Sequence, residues 1–291
     1  MIEPRIHPGQ RPEALKLEKA QSIRTGIIPS KFHYETDRQA ELWLTLHEQF
    51  APPTDLAPLY EQAAQAAASR WPHAQGTLIA LGCGGGEKDC RLLKHLPDGM
   101  RYVPTDVSKP LVRKAASLAT RECPGTEIIP LVFDLASADS LNDFIGPHLT
   151  ANRLFTFFGL LPNFAPADIL PKLRVLLTQG NMLLLSANLA PSGIEAILPQ
   201  YDNEPTRQWL AEFPRTNGLP EGEVVVSTEM DGDLEHIIAR HVSPSKTTGL
   251  FVSYRYTLPL LRDTLEPYGI QIEQEFISAN GEEGVFLCAV Q

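Results

Sequence analysis

From Thr77 onward the chain alternates short apolar runs with amphipathic stretches. Thr77–Leu81 (TLIAL) reads as a fully buried strand, and Lys88–Leu96 as a helix with Leu92, Leu93 and Leu96 on one face. Arg101–Thr105, Glu127–Val132, Arg153–Phe158 and Asn181–Ser186 repeat the strand pattern, while Lys109–Thr120, Asp139–Leu149 and Pro166–Leu177 repeat the helical one. This alternation predicts a doubly wound parallel sheet that binds its ligand at the carboxyl ends of the strands. Upstream, Glu35–Phe50 and the alanine-rich Leu56–Trp71 read as helices parted by Pro52-Pro53. Residues 1–35 show no strong period and are expected to wrap over the rest.

Past about residue 195 the pattern changes. Ile194–Leu198 and Glu204–Phe213 read as helices, with Asp202 or Asn203 as the cap of the second. Glu223–Met230 and Leu234–Val242 flank the hairpin signal Asp231-Gly232, and Leu250–Tyr256 adds a third strand. The chain then returns to a helix (Leu258–Tyr268), a strand (Gln271–Ser278), a turn at Asn280-Gly281 and a final strand (Gly284–Val290). The expected fold is therefore α/β, a Rossmann-like seven-stranded sheet, mostly parallel with an antiparallel last strand. A smaller α+β unit accompanies it. The expected division is 73–195 plus 258–291 for the core, and 1–72 plus 196–257 for a substrate-binding cover.

Composition narrows the partners. A net charge of −10 over 291 residues, with no basic run interleaved with aromatics, argues against nucleic acid. No apolar run is long enough for a bilayer and the first residues lack an apolar leader core, so a cytoplasmic location is expected. Four cysteines without a C-x-x-C pair, and histidines without ligand spacing, predict reduced thiols and no metal. A monomer or weak dimer acting on a small molecule is the expectation.

The chemistry starts in LGCGGGEKDC. Gly82, Gly84 and Gly86 turn the first strand into its helix and let a ligand lie against bare backbone. Glu87 stands where a dinucleotide fingerprint needs its third glycine. The remaining G-x-G-x-G with an acid nearby resembles motif I of S-adenosylmethionine-dependent methyltransferases. Asp106 ends the second strand, where a carboxylate can accept from a ribose diol or cap the next helix; Ser108 is at least as good a cap. Asp134 follows the third strand, where it can accept from an adenine amino group, with Leu135 and Phe133 as apolar cover, or act as another cap. Those acids at successive strand ends favour S-adenosylmethionine, with S-adenosylhomocysteine as product. Lys88 can reach the cofactor's methionyl carboxylate or point into solvent. Asn163, in the loop after LFTFFG, can donate and accept towards a polar substrate or simply form a turn. Tyr201 faces either core or cleft, and Trp71 and Trp209 read as core.

Several segments together resemble the histidine Nα-methyltransferases of ergothioneine biosynthesis: IPSKFHYETDRQAEL, LGCGGGEKDCRLL, YVPTDVS, VFDLA, LFTFFGLLPNF, GNMLLLSANL and QYDNEP, in that order. The resemblance implies that Tyr34, Gly82, Lys88, Asp106 and Asp134 bind the cofactor, and that Asn163 and Tyr201 hold the amino group and carboxylate of an amino acid. Tyr34 and Asn163 would position the attacking amine. The chain also departs from the family. Gly85 and Gly86 replace small hydroxyl residues. The glutamate that holds the imidazole in histidine-specific members, two before a serine, is Phe251 before Ser253 here. A pocket tyrosine falls near Ala51 and Pro52. The expected activity is thus N-methylation of the amino group of an amino acid or amino-acid-like molecule, with histidine disfavoured as that acceptor. The rivals are a small-molecule N- or O-methyltransferase with another acceptor and a non-catalytic cofactor-binding relative.

Overall fold

The computed structural model describes residues 2–50, 53–137 and 141–291. The chain opens with β1 (Arg5–Ile6), α1 (Pro12–Thr25), α2 (Asp37–Phe50) and α3 (Pro53–Arg70). The alternating part runs β2 (Gln75–Leu81), α4 (Glu87–Leu93), β3 (Gly99–Asp106), α5 (Lys109–Glu122), β4 (Glu127–Ile128), β5 (Leu131–Val132) and α6 (Leu141–Ile145). It ends with β6 (Arg153–Phe157), α7 (Pro166–Leu176) and β7 (Met182–Asn188). Then follow α8 (Ile194–Ile197), α9 (Glu204–Thr216), β8 (Glu223–Asp231), β9 (Leu234–Val242) and β10 (Thr247–Arg255). The chain closes with α10 (Leu258–Leu265), β11 (Ile270–Ile277) and β12 (Glu283–Val290).

Nine strands form the main sheet in the order β1-β5-β3-β2-β6-β7-β12-β11, with β4 also paired to β3. The pairs are parallel except those of β12, which runs antiparallel to β7 and β11. The order reverses between β2 and β6, the point at which sheets of this kind take ligands at the carboxyl ends of their strands. Along β2 the side chains alternate between two dry faces. Ile79 and Leu81 share a core with Phe155, Leu183, Leu170 and Leu173. Leu78 and Ala80 pack instead with Leu154 and Leu184 against Tyr60, Ala63 and Ala67 of α3. Burial on both sides explains why β2 reads as a continuous apolar run.

β10, β9 and β8 form a separate antiparallel sheet, turned at Gly232 with φ of +60°. Its inner face packs Val224, Ile237 and Leu250 against Trp209, Leu210 and Phe213 of α9 and against Ile28 and Phe32. The Asn203 side chain caps α9 by accepting from the Thr206 N–H at 3.0 Å. β10 runs back to the main sheet, where the Tyr256 N–H donates to the Asn188 carbonyl at 3.2 Å.

Three expectations change. The strand expected over Glu127–Val132 is two short pieces, because Pro130 has no N–H to give a ladder. The Pro130 carbonyl accepts instead from the Arg5 N–H at 3.0 Å, which brings in β1. The first 35 residues are also not irregular, since α1 covers fourteen of them. Its packed face mixes Leu15 and Ile23 with Glu18, Lys19 and Ser22, and Leu17 is exposed, so only a weak apolar period marks it. The helix expected over Asp139–Leu149 is shortened to α6 plus a 3-10 turn over Gly146–His148, with residues 138–140 outside the described part. As for the boundary near residue 72, β1 and α3 precede it yet pair with and pack on the main sheet. Among the described residues no helix is long and apolar enough to cross a membrane.

Candidate active site

The glycine loop leaves β2 at the reversal point. Gly84 and Gly86 have φ of +51° and +86°, a backbone region costly for other residues. A side chain at Gly86 would also meet the Ala115 backbone at 2.9 Å, so this glycine lets α4 and α5 approach. The Gly84 N–H donates to Asp106 Oδ2 at 3.1 Å and the Ser108 N–H to Oδ1 at 2.9 Å. Ser108 itself caps α5 through the Leu111 N–H. Burial pushes the Asp106 carboxyl up to about 6, against the hydrogen bonds from Ser108, Gly84 and Val107. The carboxylate is held by main-chain donors alone among the described residues, and a carboxylate has about four acceptor positions. The remaining positions suit a diol, which is the fit expected for a ribose.

Asp134 is furnished differently. It accepts from the Ala136 N–H at 2.9 Å, from Ser137 Oγ at 2.5 Å and from the Lys31 ammonium at 2.9 Å. Lys31 is only 6 % exposed and also binds Glu18, so the N-terminal segment braces this strand end. Leu135 and Phe133 are both buried in the main core. Lys88 Nζ donates to the Tyr60 hydroxyl at 2.7 Å, lies 3.5 Å from Glu283 and stands 4.0 Å from the Tyr60 ring centre. Its charge thus already has a carboxylate partner on β12. Cys83 shows no thiolate character, since burial pushes its thiol up.

Opposite the glycine loop stands a continuous row of rings. Trp43 stacks on His47 with centroids 5.2 Å apart, and Tyr34 lies edge-on to Trp43 at 5.7 Å. Trp209 follows at 5.5 Å from Tyr34, Phe251 at 5.9 Å from Trp209, and Tyr201 at 6.0 Å from Phe251. The row begins over the loop, where Trp43 comes within 3.4 Å of a side-chain carbon built on Gly84. It ends at Arg255, whose guanidinium carbon lies 5.0 Å from the Tyr201 ring centre. The turn carrying Tyr34 is fixed at three points. Gln39 Nε2 donates to the Phe32 carbonyl at 2.8 Å, Trp209 Nε1 to the His33 carbonyl at 3.2 Å, and His33 Nε2 to the Leu250 carbonyl at 2.7 Å. His33 is a structural pin, pushed down to about 4 by burial. Burial first, then the charge of Asp106 and the nearby Tyr201, drive the Tyr34 phenol up, so Tyr34 stands within electrostatic reach of both.

At the far end, the Tyr201 hydroxyl accepts from Arg255 Nη2 at 2.5 Å and from Ser253 Oγ at 3.4 Å. Burial opposes its ionisation, but the Arg255 charge and hydrogen bonds from Ser253, Arg255 and Asn188 outweigh that and hold the phenol below its ordinary value. Asn163 ends a 3-10 turn, Leu161–Asn163, after β6, and its Nδ2 donates to the Gly159 carbonyl at 3.1 Å. That turn packs against β10, and Leu160 just before it lies over Gly82 of the glycine loop.

The structure therefore gathers Gly82, Gly84, Asp106 and Tyr34 on one side and Tyr201, Phe251 and Ser253 on the other. The pocket tyrosine expected near Ala51 and Pro52 lies outside the described residues. Sequence reasoning missed Lys31, Trp43 and Arg255. A signal existed for Arg255, because it falls two residues after Ser253 and four after Phe251, on one face of a strand. Among the described residues no cluster of His, Cys, Asp or Glu could hold a metal ion.

A family model described as "Histidine-specific methyltransferase, SAM-dependent" matches residues 17–219. None of the curated proteins compared matches the chain. Among solved structures, the magnesium protoporphyrin IX methyltransferase of Synechocystis, with bound S-adenosylhomocysteine, superposes with a TM-score of 0.51 and 12 % identity, over 90 % of this chain and 98 % of the other. The didemethyltoxoflavin N1-methyltransferase of Burkholderia thailandensis, with its substrate and S-adenosylhomocysteine, gives 0.50 and 13 %, over 94 % and 90 %. Both likenesses confirm the Rossmann-like fold.

Proposed function

The chain belongs to the family of histidine-specific, SAM-dependent methyltransferases, and on that premise we propose that it methylates the amino group of an amino acid, or amino-acid-like molecule, other than histidine. When bound, the cofactor supplies a methyl group on a sulfonium sulfur. In this reading Gly82 and Gly84 pass under the cofactor, Asp106 accepts its ribose hydroxyls, and Asp134 with Leu135 meets the adenine. Lys88 answers the methionyl carboxylate if it releases Glu283. Tyr34 separates this half from the acceptor half, and the faces of Tyr34 and Trp209 favour cationic groups near them.

Asn163 and Tyr34 hold the acceptor nitrogen in line, and Tyr201 takes the acceptor's carboxylate. Alignment is the protein's main contribution, since a near-attack geometry removes much of the barrier. The observation that supports the reading is the place of Tyr34 in the row of rings, between Trp43 over the glycine loop and Trp209 beside Phe251. Histidine is disfavoured by Phe251, which offers no hydrogen bond and packs on Tyr201 and Trp209. An imidazole N–H buried there without a partner costs about 1–3 kcal/mol.

The test is S-adenosylhomocysteine release over a panel of amino acids, with Asn163→Ala beside the parent. The variant is expected to raise the KM for the amino acid roughly tenfold while S-adenosylhomocysteine binding by calorimetry is unchanged. Equal loss of both contradicts the assignment of Asn163.

A further inference from the structure

Arg255 is 4 % exposed, in a chain of net charge −10, and none of its contacts is a carboxylate. Nη1 donates to Ser253 Oγ at 3.0 Å and to the Tyr254 carbonyl at 3.2 Å, and Nη2 donates to the Tyr201 hydroxyl. Nε is buried and finds no acceptor among the described residues. Other arginines of the protein, such as Arg91, Arg207, Arg215 and Arg240, have a carboxylate partner. Arg255 keeps its charge in the interior with neutral partners only. A buried charge without a counter-ion is strongly unfavourable, and an unpaired N–H on it adds to that cost. The edge of a guanidinium that carries Nε and one Nη grips a carboxylate through two parallel hydrogen bonds. Here Nε on that edge is unpartnered, while Tyr201 and Ser253 supply hydroxyls beside it.

We infer that Arg255 is the anion anchor of the acceptor site: the methyl acceptor carries a carboxylate that lies against Arg255 Nε and Tyr201, with an apolar body along Phe251 and Trp209. This deepens the reading above and rests on it for the identity of the reaction, because it assigns the charge for acceptor selection to a residue that reading does not use. The Tyr201 ring face, 5.0 Å from the guanidinium carbon, offsets the charge only in part, and a carboxylate on the ligand completes the pairing. Ser253 acts by positioning, since it accepts from Nη1 and donates to Tyr201, which fixes the relative orientation of the two groups that meet the anion.

The inference can be tested without knowing the natural acceptor. The 291-residue chain saturated with S-adenosylhomocysteine is titrated with hydrocinnamate and with its amide, following the fluorescence of Trp43 and Trp209. The acid is expected to bind at least about tenfold more tightly than the amide, the size of one charge-assisted hydrogen bond. Arg255→Met removes that preference and Arg255→Lys restores part of it, with S-adenosylhomocysteine affinity unchanged in both. Equal binding of acid and amide by the parent, binding of neither, or an unchanged preference in Arg255→Met overturns the inference. So does a matching loss of S-adenosylhomocysteine affinity, which would assign the guanidinium to the cofactor's own carboxylate.

A turnover series with phenylalanine, phenylalaninamide, phenethylamine and phenyllactate separates this from the amino-methylation reading. Turnover of the amines regardless of the carboxylate keeps that reading and sinks the anchor. Turnover of phenyllactate alone, lost in Arg255→Met, keeps the anchor and sinks the amine.

Discussion

At the glycine-loop end of the cleft the polar groups are set by main chain. Asp106 takes its hydrogen bonds from the N–H groups of Gly84 and Ser108, at strand and helix ends that the fold supplies in any case. At the Arg255 end the groups are set by side chains: Tyr201, Ser253 and Arg255 hold one another, from a loop and a strand outside the main sheet. The first end leaves acceptor positions open and the second leaves a buried cation unmatched. Main-chain geometry depends on fold and turn residues and is shared by proteins of little sequence similarity. Side-chain constellations change with one substitution, and our proposal assigns acceptor selection to this one.

The sharpest way to break this comparison is to cut each end alone. Asp106→Ala should weaken S-adenosylhomocysteine binding about a hundredfold, from the loss of two charge-assisted hydrogen bonds, while leaving the acid-over-amide preference intact. Calorimetry for one and fluorescence for the other will read this. A loss confined to the acceptor side would invert the account. Arg255→Met should do the opposite, costing roughly 10- to 100-fold in kcat/KM for a carboxylate acceptor with cofactor binding unchanged. Asn163→Ala is milder, a rise in acceptor KM of roughly tenfold, because it removes a neutral hydrogen bond at a half-exposed site.

The two ends should also differ in pH response. Asp106 has its carboxyl raised to about 6, and a ribose diol prefers its ionised form. Binding then releases a proton, so S-adenosylhomocysteine affinity is full above about pH 6 and falls by at most tenfold per unit below it. The sign for folding is reversed. With the folded value above the unfolded one, the native state holds more protons between about 4 and 6, and stability declines as pH rises through that window. The smallest effect concerns Asp89, on the buried face of α4, accepting from Tyr102 at 3.0 Å and Thr156 at 2.7 Å. Burial raises it to about 7, against the hydrogen bonds of Thr156 and Tyr102. Asp89→Asn should flatten the decline of stability between about pH 4 and 7, read as midpoints that differ from the parent by a few degrees. A parallel pH dependence in the variant would contradict this.

Much of the first end was legible in the chain. Apolar runs in β2, β3 and β6, positive-φ glycines and acids at strand ends each follow from local geometry, and the structure reproduces those elements within a few residues. The second end was only partly legible. Phe251 and Ser253 could be placed by their resemblance to a family pattern, but Arg255 reads as one more charge in a strand until its neighbours are known. α1 escaped because only Leu15 and Ile23 of its packed face are apolar, and the ion pairs of Lys19 with Glu35 and Glu18 with Lys31 hold the rest. The Lys31–Asp134 contact joins residues 103 positions apart and has no local signal.

The central claim is that the methyl group goes to the amino nitrogen of a carboxylate-bearing acceptor. Incubation with S-adenosylmethionine and a panel of amino acids, followed by tandem mass spectrometry of the product, locates it directly. The account predicts a methyl on the α-nitrogen of an amino acid other than histidine. A methyl on oxygen, on a ring nitrogen of histidine, or on amines lacking a carboxylate would contradict it.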